Sequence, residues 1–447
     1  MMHDQTIRTD GSTPEDLSSS PNQVLAYEMP LPGHWQYFHI GFWFLMLSSS
    51  VLVLMKTRWK IDSIYLSAPL LSIGMFFLLF TVHGMWRRAM SQLGSVNRFL
   101  FLFLLYWGLF TVVRDLVHLD LVTMRNSIGH RLFAWTWFVP LLMLLPMDAR
   151  FLSELLRNIL QQTRMGLFLL VVVKFPPISI LTDFTLTWGG SALMLFWHQL
   201  SKWGKRTAIA GALVTLFFAF FNSERHAMVG HGFLLLGAAY ILMNKRHLFT
   251  ARRRAVILST IAAVLGITYY IASNTTFTLL DEESSSRVET FKEELVANTR
   301  VSKTGVSIYE DFLNDLDTVD LIIGRGAAGT YLSKESGGIN RVLIECGYCQ
   351  VVLKGGVVML APILLLAVPA MLKGFFRSKN WVVKGFALIV AGWLGEMIPY
   401  GLPAAFPRYA LFWIAIGVCL NQTLREMTDD EIAQYLPDAG VGFSRGI

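Results

Sequence analysis

The chain has 447 residues, 54% of them hydrophobic and only 15% charged, with a mean hydropathy of +0.49. Soluble domains are about a quarter charged, so this composition excludes an ordinary soluble globular protein and points to a membrane protein of many spans. The formal net charge of +7 does not argue for nucleic acid, because the basic residues sit in short connections between apolar runs and no basic stretch is interleaved with aromatics. Three cysteines make a disulfide framework unexpected.

Residues 1–33 are rich in Ser, Pro, Asp and Thr and read as a disordered cytoplasmic tail with no cleavable signal peptide. Twelve apolar segments follow, centred on 36–55, 64–82, 99–113, 132–147, 165–181, 184–200, 207–222, 227–243, 255–272, 343–372, 382–399 and 403–420. Several are short for a hydrocarbon core of about 30 Å, so their ends must extend into the flanks. The segment 165–181 is interrupted by Lys174, Pro176 and Pro177, which suits a broken or re-entrant helix. The expected division is a tail over 1–33, helices one to nine over 34–272, a loop over 273–342, helices ten to twelve over 343–420, and a cytoplasmic tail over 421–447. The expected fold is therefore an all-α polytopic membrane protein of about twelve transmembrane helices, with the lipid bilayer as its first partner.

Orientation follows from the basic residues. Arg87-Arg88, Arg150 with Arg157 and Arg164, Lys202 with Lys205 and Arg206, Lys245-Arg246 with Arg252-Arg253-Arg254, and Lys373 with Arg377, Lys379 and Lys384 all fall on one side if the amino terminus is cytoplasmic. Lys56-Thr57-Arg58-Trp59-Lys60 is the exception. That assignment puts both termini inside and the long polar stretch Ser273 to Asn340 outside, as a periplasmic loop. Within it, Ser286 with Glu289 and Ser307 with Glu310 have capping-box spacing. Val288, Phe291 and Leu295, then Ile308, Phe312 and Leu316, share helical faces, so the loop is expected to carry two short surface helices.

Three tempting patterns are set aside. Gly324-Arg325-Gly326-Ala327-Ala328-Gly329 matches a dinucleotide fingerprint but lacks a βαβ setting, so a tight turn returning the loop to the membrane is the better reading. Cys346-Gly347-Tyr348-Cys349 has redox spacing but no thioredoxin-like sheet around it. His226 and His231 are five apart, on different helical faces, and no carboxylates complete a metal site. No metal and no cofactor are expected.

Charged residues at membrane depth are more informative. Arg225 lies between two apolar runs with almost no loop, where an unpartnered charge is costly. Its alternative is pairing with Glu224 or snorkelling. Glu345 stands where the next span begins; a solvated interfacial carboxylate is its alternative. Glu396 and Arg408 flank the last outside turn, where a structural role is the simpler one. Gathered on one face, Arg225, Arg287, Arg300, Arg325 and Arg408 would bind a pyrophosphate, since a guanidinium fork matches phosphate oxygens. A carboxylate beside them, Glu345, could deprotonate an attacking hydroxyl, with Arg225 stabilising the leaving group. Asp311 is the other candidate base.

From about Thr207 to Ala367 the chain resembles the O-antigen ligase and polymerase superfamily, the Wzy-type bacterial polysaccharide enzymes. Three elements carry the likeness: Ser223-Glu224-Arg225 before an apolar span, a long loop closing in Ile323-Gly324-Arg325-Gly326 with Thr330-Tyr331, and Gly347-Tyr348-Cys349-Gln350 followed by Lys354-Gly355-Gly356. The resemblance implies a GT-C-like helical architecture and metal-independent, inverting glycosyl transfer from an undecaprenyl-pyrophosphate-linked oligosaccharide in a bacterial inner membrane. It implies that Arg225 holds the pyrophosphate, that a second loop Arg (Arg287, or Arg300 or Lys303 by distance to the turn) assists, and that Tyr348 and Gln350 belong to the site. A flippase and a chain-length regulator are the proteins such an enzyme works beside. Ligases of the family carry a His just before the Tyr; here Ile344-Glu345-Cys346-Gly347-Tyr348 has none, which favours a polymerase over a ligase. A lipid-linked oligosaccharide flippase or transporter is the alternative of another class.

Overall fold

The computed structural model describes residues 34–54, 64–116, 134–172, 186–221, 225–244, 309–334, 338–344, 346–398, 402–405 and 407–436. They are overwhelmingly helical. Helices α1 (His34–Leu54), α2 (Ile64–Gln92) and α3 (Ser95–Leu116) are followed by two 3-10 segments, Ala134–Trp137 and Val139–Met147. Next come α4 (Phe151–Val172), α5 (Leu186–Leu195), α6 (Lys202–Phe221) and α7 (Arg225–Asn244). After the long loop, α8 (Thr318–Ile323) and a hairpin of β1 (Tyr331–Ser333) and β2 (Ile339–Arg341) lead into α9 (Gly347–Phe376), α10 (Trp381–Glu396) and α11 (Pro407–Leu420). Two short helices, Gln422–Glu426 and Asp429–Ala433, close the described chain.

Among the described residues, three stretches are long and apolar enough to cross a membrane: Ser67–Gln92, Ser95–Asp115 and Gly347–Phe376. Gly230–Asn244 and Pro407–Leu420 are apolar but shorter. The chain is thus a helical, membrane-associated protein. Its centre is α10 and α11, in which Trp393, Phe386, Phe412 and Trp413 are fully buried.

The structure departs from the sequence expectation at two apolar runs. In the run 132–147, the described residues 134–147 form 3-10 turns instead of a spanning α-helix. Pro140 and Pro146 lack the N–H groups a regular helix uses, and α11 crosses so closely that a Cβ on Gly417 would fall 2.0 Å from the Met143 carbonyl oxygen. In the run 184–200, among the described residues the ten of α5 are helical before a 3-10 turn at Trp197–Gln199. The segment 165–181 begins earlier than its hydropathy suggests, within α4, whose first turn carries Glu154 hydrogen-bonded to His39 at 2.6 Å. The expected span 255–272, the cap at Ser286 and Lys303 lie outside the described residues.

Two ends of the bundle can be told apart by which residues meet. Tyr240, late in α7, lies 5.6 Å from the Phe375 ring and 6.4 Å from the Trp381 ring, and Gly237 faces Leu388. Helix α7 is therefore antiparallel to α10, and its first residue, Arg225, is level with Glu396, about 22 Å from the α9–α10 turn at 1.5 Å per residue. Gly108 of α3 faces Met359 of α9, and Trp107 reaches Gly355, so α3 also runs antiparallel to α9. Arg87, Arg88 and Arg98 at the α2–α3 turn thus lie at the same end as Lys373, Arg377 and Lys379. That end is tied off by Lys379 N–H donating to Arg425 O at 2.9 Å and by Asn380 capping α10 while its amide donates to Leu424 O and Met427 O. One end is strongly basic; the other bears the folded part of the loop.

Candidate functional site

At the second end, the glycine turn docks into a break in α9. Gly324 and Gly326 take φ of +71° and +93°, the left-handed side open to glycine, and so does Gly356 within α9 at +72°. The kink at Gly356 takes the Leu353 and Lys354 carbonyls out of the regular ladder, and the turn occupies them: Arg325 N–H donates to Leu353 O at 2.8 Å and Gly326 N–H to Lys354 O at 3.0 Å. The indole N–H of Trp107 takes the Gly355 carbonyl at 2.7 Å. The two backbones touch: a Cβ on Gly324 would come 2.5 Å from Gly355 N, and one on Gly356 would come 1.9 Å from Ile322 O.

Charge locks this junction. Lys354, 1% exposed, donates from Nζ to Gly329 O at 2.6 Å. Asp115, at the end of α3, accepts the Ala328 N–H and lies so close that a Cβ on Gly326 would fall 2.0 Å from its Oδ1. Its neighbour Arg114 donates to Gly324 O at 2.8 Å. Asp115 and Lys354 thus hold the turn from two sides, the carboxylate through the Ala328 N–H and the amino group through the Gly329 carbonyl.

Around the turn the loop forms a small fold of its own. Asp317 caps α8 by accepting Asp320 N–H at 2.7 Å. The helix expected after Ser307 is present across 309–315, and its Phe312 and Leu316 pack with Tyr331, Ile344 and Leu353 in a separate core. Phe312 meets Tyr331 edge-on at 5.8 Å. Arg325 points back into this unit. Its Nε donates to Asp320 at 2.7 Å and its Nη1 to Thr330 O at 2.9 Å, while both Nη groups engage Asp315, one on the carboxylate and one on the backbone carbonyl. Partial burial works against its charge, but Asp320 and Asp315 outweigh that and hold its pKa above the ordinary value.

Of the remaining sequence candidates, those among the described residues fall near the same end. Tyr348 donates its hydroxyl to Leu394 O at 2.7 Å, and Gln350 uses both amide atoms to hold the approach to α9, accepting Ile344 N–H and donating to Val342 O. Arg408 meets Glu396 at 2.6 Å with Glu396 fully buried, and its guanidinium lies 5.1 Å over the Trp393 ring. Arg225 begins α7 at this end. Glu345, Arg287 and Arg300 lie outside the described residues. His231, set aside as a metal ligand, hydrogen-bonds through Nδ1 to Ser191 Oγ at 2.8 Å. Among the described residues no group of three or more His, Cys, Asp or Glu side chains is placed to hold a metal ion.

Sequence reasoning missed the roles of Lys354, Asp115 and Arg114. A signal existed, since Lys354 lies eight residues into an apolar run that begins at Gly347, and a charge there asks for a partner. Which partner it finds depends on α3, more than two hundred residues earlier in the chain. No known protein family, curated protein or solved structure matches this chain.

Proposed function

We propose that the chain is a polymerase of surface polysaccharide, joining undecaprenyl-pyrophosphate-linked repeat units at the outer face of a bacterial inner membrane. The observation that carries this reading is the gathering of the three motif-bearing stretches at one end of the bundle: the start of α7 with Arg225, the glycine turn, and the first turns of α9. The other end, with Arg87, Arg88, Arg98, Lys373, Arg377 and Lys379, has the basic character of a cytoplasmic face and supports placing both termini inside and the loop outside. The finer architecture in this reading is a GT-C-like bundle of about twelve spans.

In the reaction, a sugar hydroxyl of the incoming unit attacks the anomeric carbon of the chain held on its carrier, and the undecaprenyl pyrophosphate departs with the bonding electron pair. Glu345 takes the hydroxyl proton, and guanidinium groups stabilise the departing diphosphate. Arg325 and Arg408 are engaged by Asp315, Asp320 and Glu396, so in this reading they shape the site. The diphosphate then falls to Arg225 with Arg287 or Arg300.

The test is to delete the gene and analyse the carrier-linked glycans. A polymerase leaves single repeat units; long chains left unattached on the carrier would identify a ligase, and substrate accumulating on the cytoplasmic side a transporter. Returning the gene with Arg225→Ala should restore protein to the membrane without polymer. Normal polymer lengths in that strain would remove Arg225 from the mechanism.

A further inference from the structure

The Cys346-Gly347-Tyr348-Cys349 stretch acquires a new meaning from its place at the head of α9. Cys346 is the N-cap: its backbone is extended, and its Sγ accepts the Cys349 N–H at 3.5 Å. The same bond places its sulfur over the first turn, on the side of the helix end that also carries Cys349. Cys346 is 8% exposed and Cys349 half-buried, and Cys349 packs against the loop core of Phe312, Leu316, Tyr331 and Ile344. The third cysteine, Cys419, is deep in α11 and donates toward Val383 O at 3.9 Å, far along the chain from this pair.

We propose that Cys346 and Cys349 are a redox-active dithiol that passes reversibly to an intramolecular disulfide by exchange with a disulfide-bearing oxidant. Two cysteines separated by two residues across an N-cap bring their sulfurs within bonding reach with little backbone change, since the first helical turn holds such positions about 5.5 Å apart at Cα. A thiolate at an N-cap faces unpaired backbone N–H groups and the positive end of the helix dipole. The charge balance agrees with the geometry: the neighbouring Cys349 thiol, then the Cys349 and Tyr348 N–H groups, outweigh burial and hold the Cys346 thiol below the ordinary thiol range. At neutral pH Cys346 is therefore the nucleophile. Its thiolate attacks one sulfur of the oxidant and expels the other as a thiolate. Cys349 then attacks Cys346 Sγ, closing the Cys346–Cys349 bond and expelling the second sulfur. Two protein thiols are oxidised, one oxidant disulfide is reduced to two thiols, and the two protein protons pass to those leaving groups.

The full chain in detergent is equilibrated in oxidised and reduced glutathione at varied ratio, quenched with acid, unfolded and labelled with a maleimide that adds visible mass. The sequence has three cysteines, so the reduced protein takes three labels and the oxidised protein one, on Cys419. Cys349→Ser should trap Cys346 as a mixed disulfide with glutathione and fall from two labels to one with the added mass of glutathione, Cys346→Ser should keep two labels, and Cys419→Ser should fall from two to none. In the reduced native protein, alkylation of Cys346 by iodoacetamide should reach half its maximal rate below the pH at which an ordinary thiol does, and that midpoint should move upward in Cys349→Ser. Three labels persisting in pure oxidised glutathione overturn the proposal. So does oxidation that appears only as a cross-linked dimer on a non-reducing gel.

Discussion

Gly356 and Ile322 share one patch of space: the Ile322 carbonyl oxygen occupies the position a Cβ on Gly356 would need, at 1.9 Å. The relationship joins a six-residue loop helix to a point a third of the way along a thirty-residue apolar helix. It also explains why α9 breaks where it does. The break costs helix hydrogen bonds, and the turn replaces them with N–H donors from Arg325 and Gly326.

Gly356→Ala should separate the two elements. The side chain would meet both the Ile322 carbonyl and a positive φ, a strain of at least about 2 kcal/mol. Gly395→Ala is the matched control, because a Cβ there meets nothing within 4 Å. It lies in α10, where alanine should stabilise by about 0.5–1 kcal/mol. Thermal unfolding in detergent reads both. A Gly356→Ala protein as stable as wild type would show that the turn does not dock as described.

Lys354 and Asp115 should behave as one unit. Lys354→Met leaves Asp115 buried against the turn without its cation, and Asp115→Asn leaves the ammonium in the same position. Each should destabilise by about 3–5 kcal/mol, as breaking one side of a buried pair does. The double variant should fall short of the sum by at least about 1 kcal/mol, because the second change removes a charge already stranded. Strict additivity would mean the two groups stabilise the turn independently.

Much of this end was legible in the chain. Gly324 and Gly326 read as a turn returning the loop to the membrane, and Phe312 and Leu316 read as one helical face; both readings have their counterparts in the structure. Of the basic connections read from the sequence, the α2–α3 and α9–α10 turns fall at one end of the bundle. What could not be read is non-local. Asp315 and Asp320 as partners of Arg325, Glu396 as the partner of Arg408, and Asp115 under Gly326 are set by how distant segments fold against each other. The run 132–147 failed for another reason: hydropathy reports burial, which is the same for a 3-10 segment and an α-helix, and the two prolines were the only hint.

Glu396 and Arg408 give a prediction that distinguishes support from chemistry. Arg408→Ala should strand a fully buried carboxylate and cost about 3–5 kcal/mol. Glu396→Gln keeps an acceptor for the guanidinium and should cost less, about 1.5–3 kcal/mol. If the pair only supports the α10–α11 connection, polymer made per folded protein should be unchanged in Glu396→Gln. Loss of polymer at wild-type protein level would give the pair a direct part in the reaction.

Arg325 tests whether the loop is a built unit. Its planar fork spans Asp320, Asp315 and Thr330 O at once, which an ammonium on a flexible stem cannot do. Limited proteolysis with chymotrypsin reads the result directly, since Tyr309, Phe312 and Tyr331 are its natural cut sites and two of them are buried in the loop core. Arg325→Ala should expose all three and speed cleavage at least about tenfold, the effect of losing roughly 1.4 kcal/mol of local stability when cleavage follows the open population. Arg325→Lys should fall between, and Asp315→Asn with Asp320→Asn should match Arg325→Ala. The side chains are about a quarter exposed, so the wild-type protection should also weaken as salt is raised. Unchanged cleavage in Arg325→Ala would leave the loop held by its apolar core alone, and would return the Arg325 guanidinium to the candidates for holding the diphosphate.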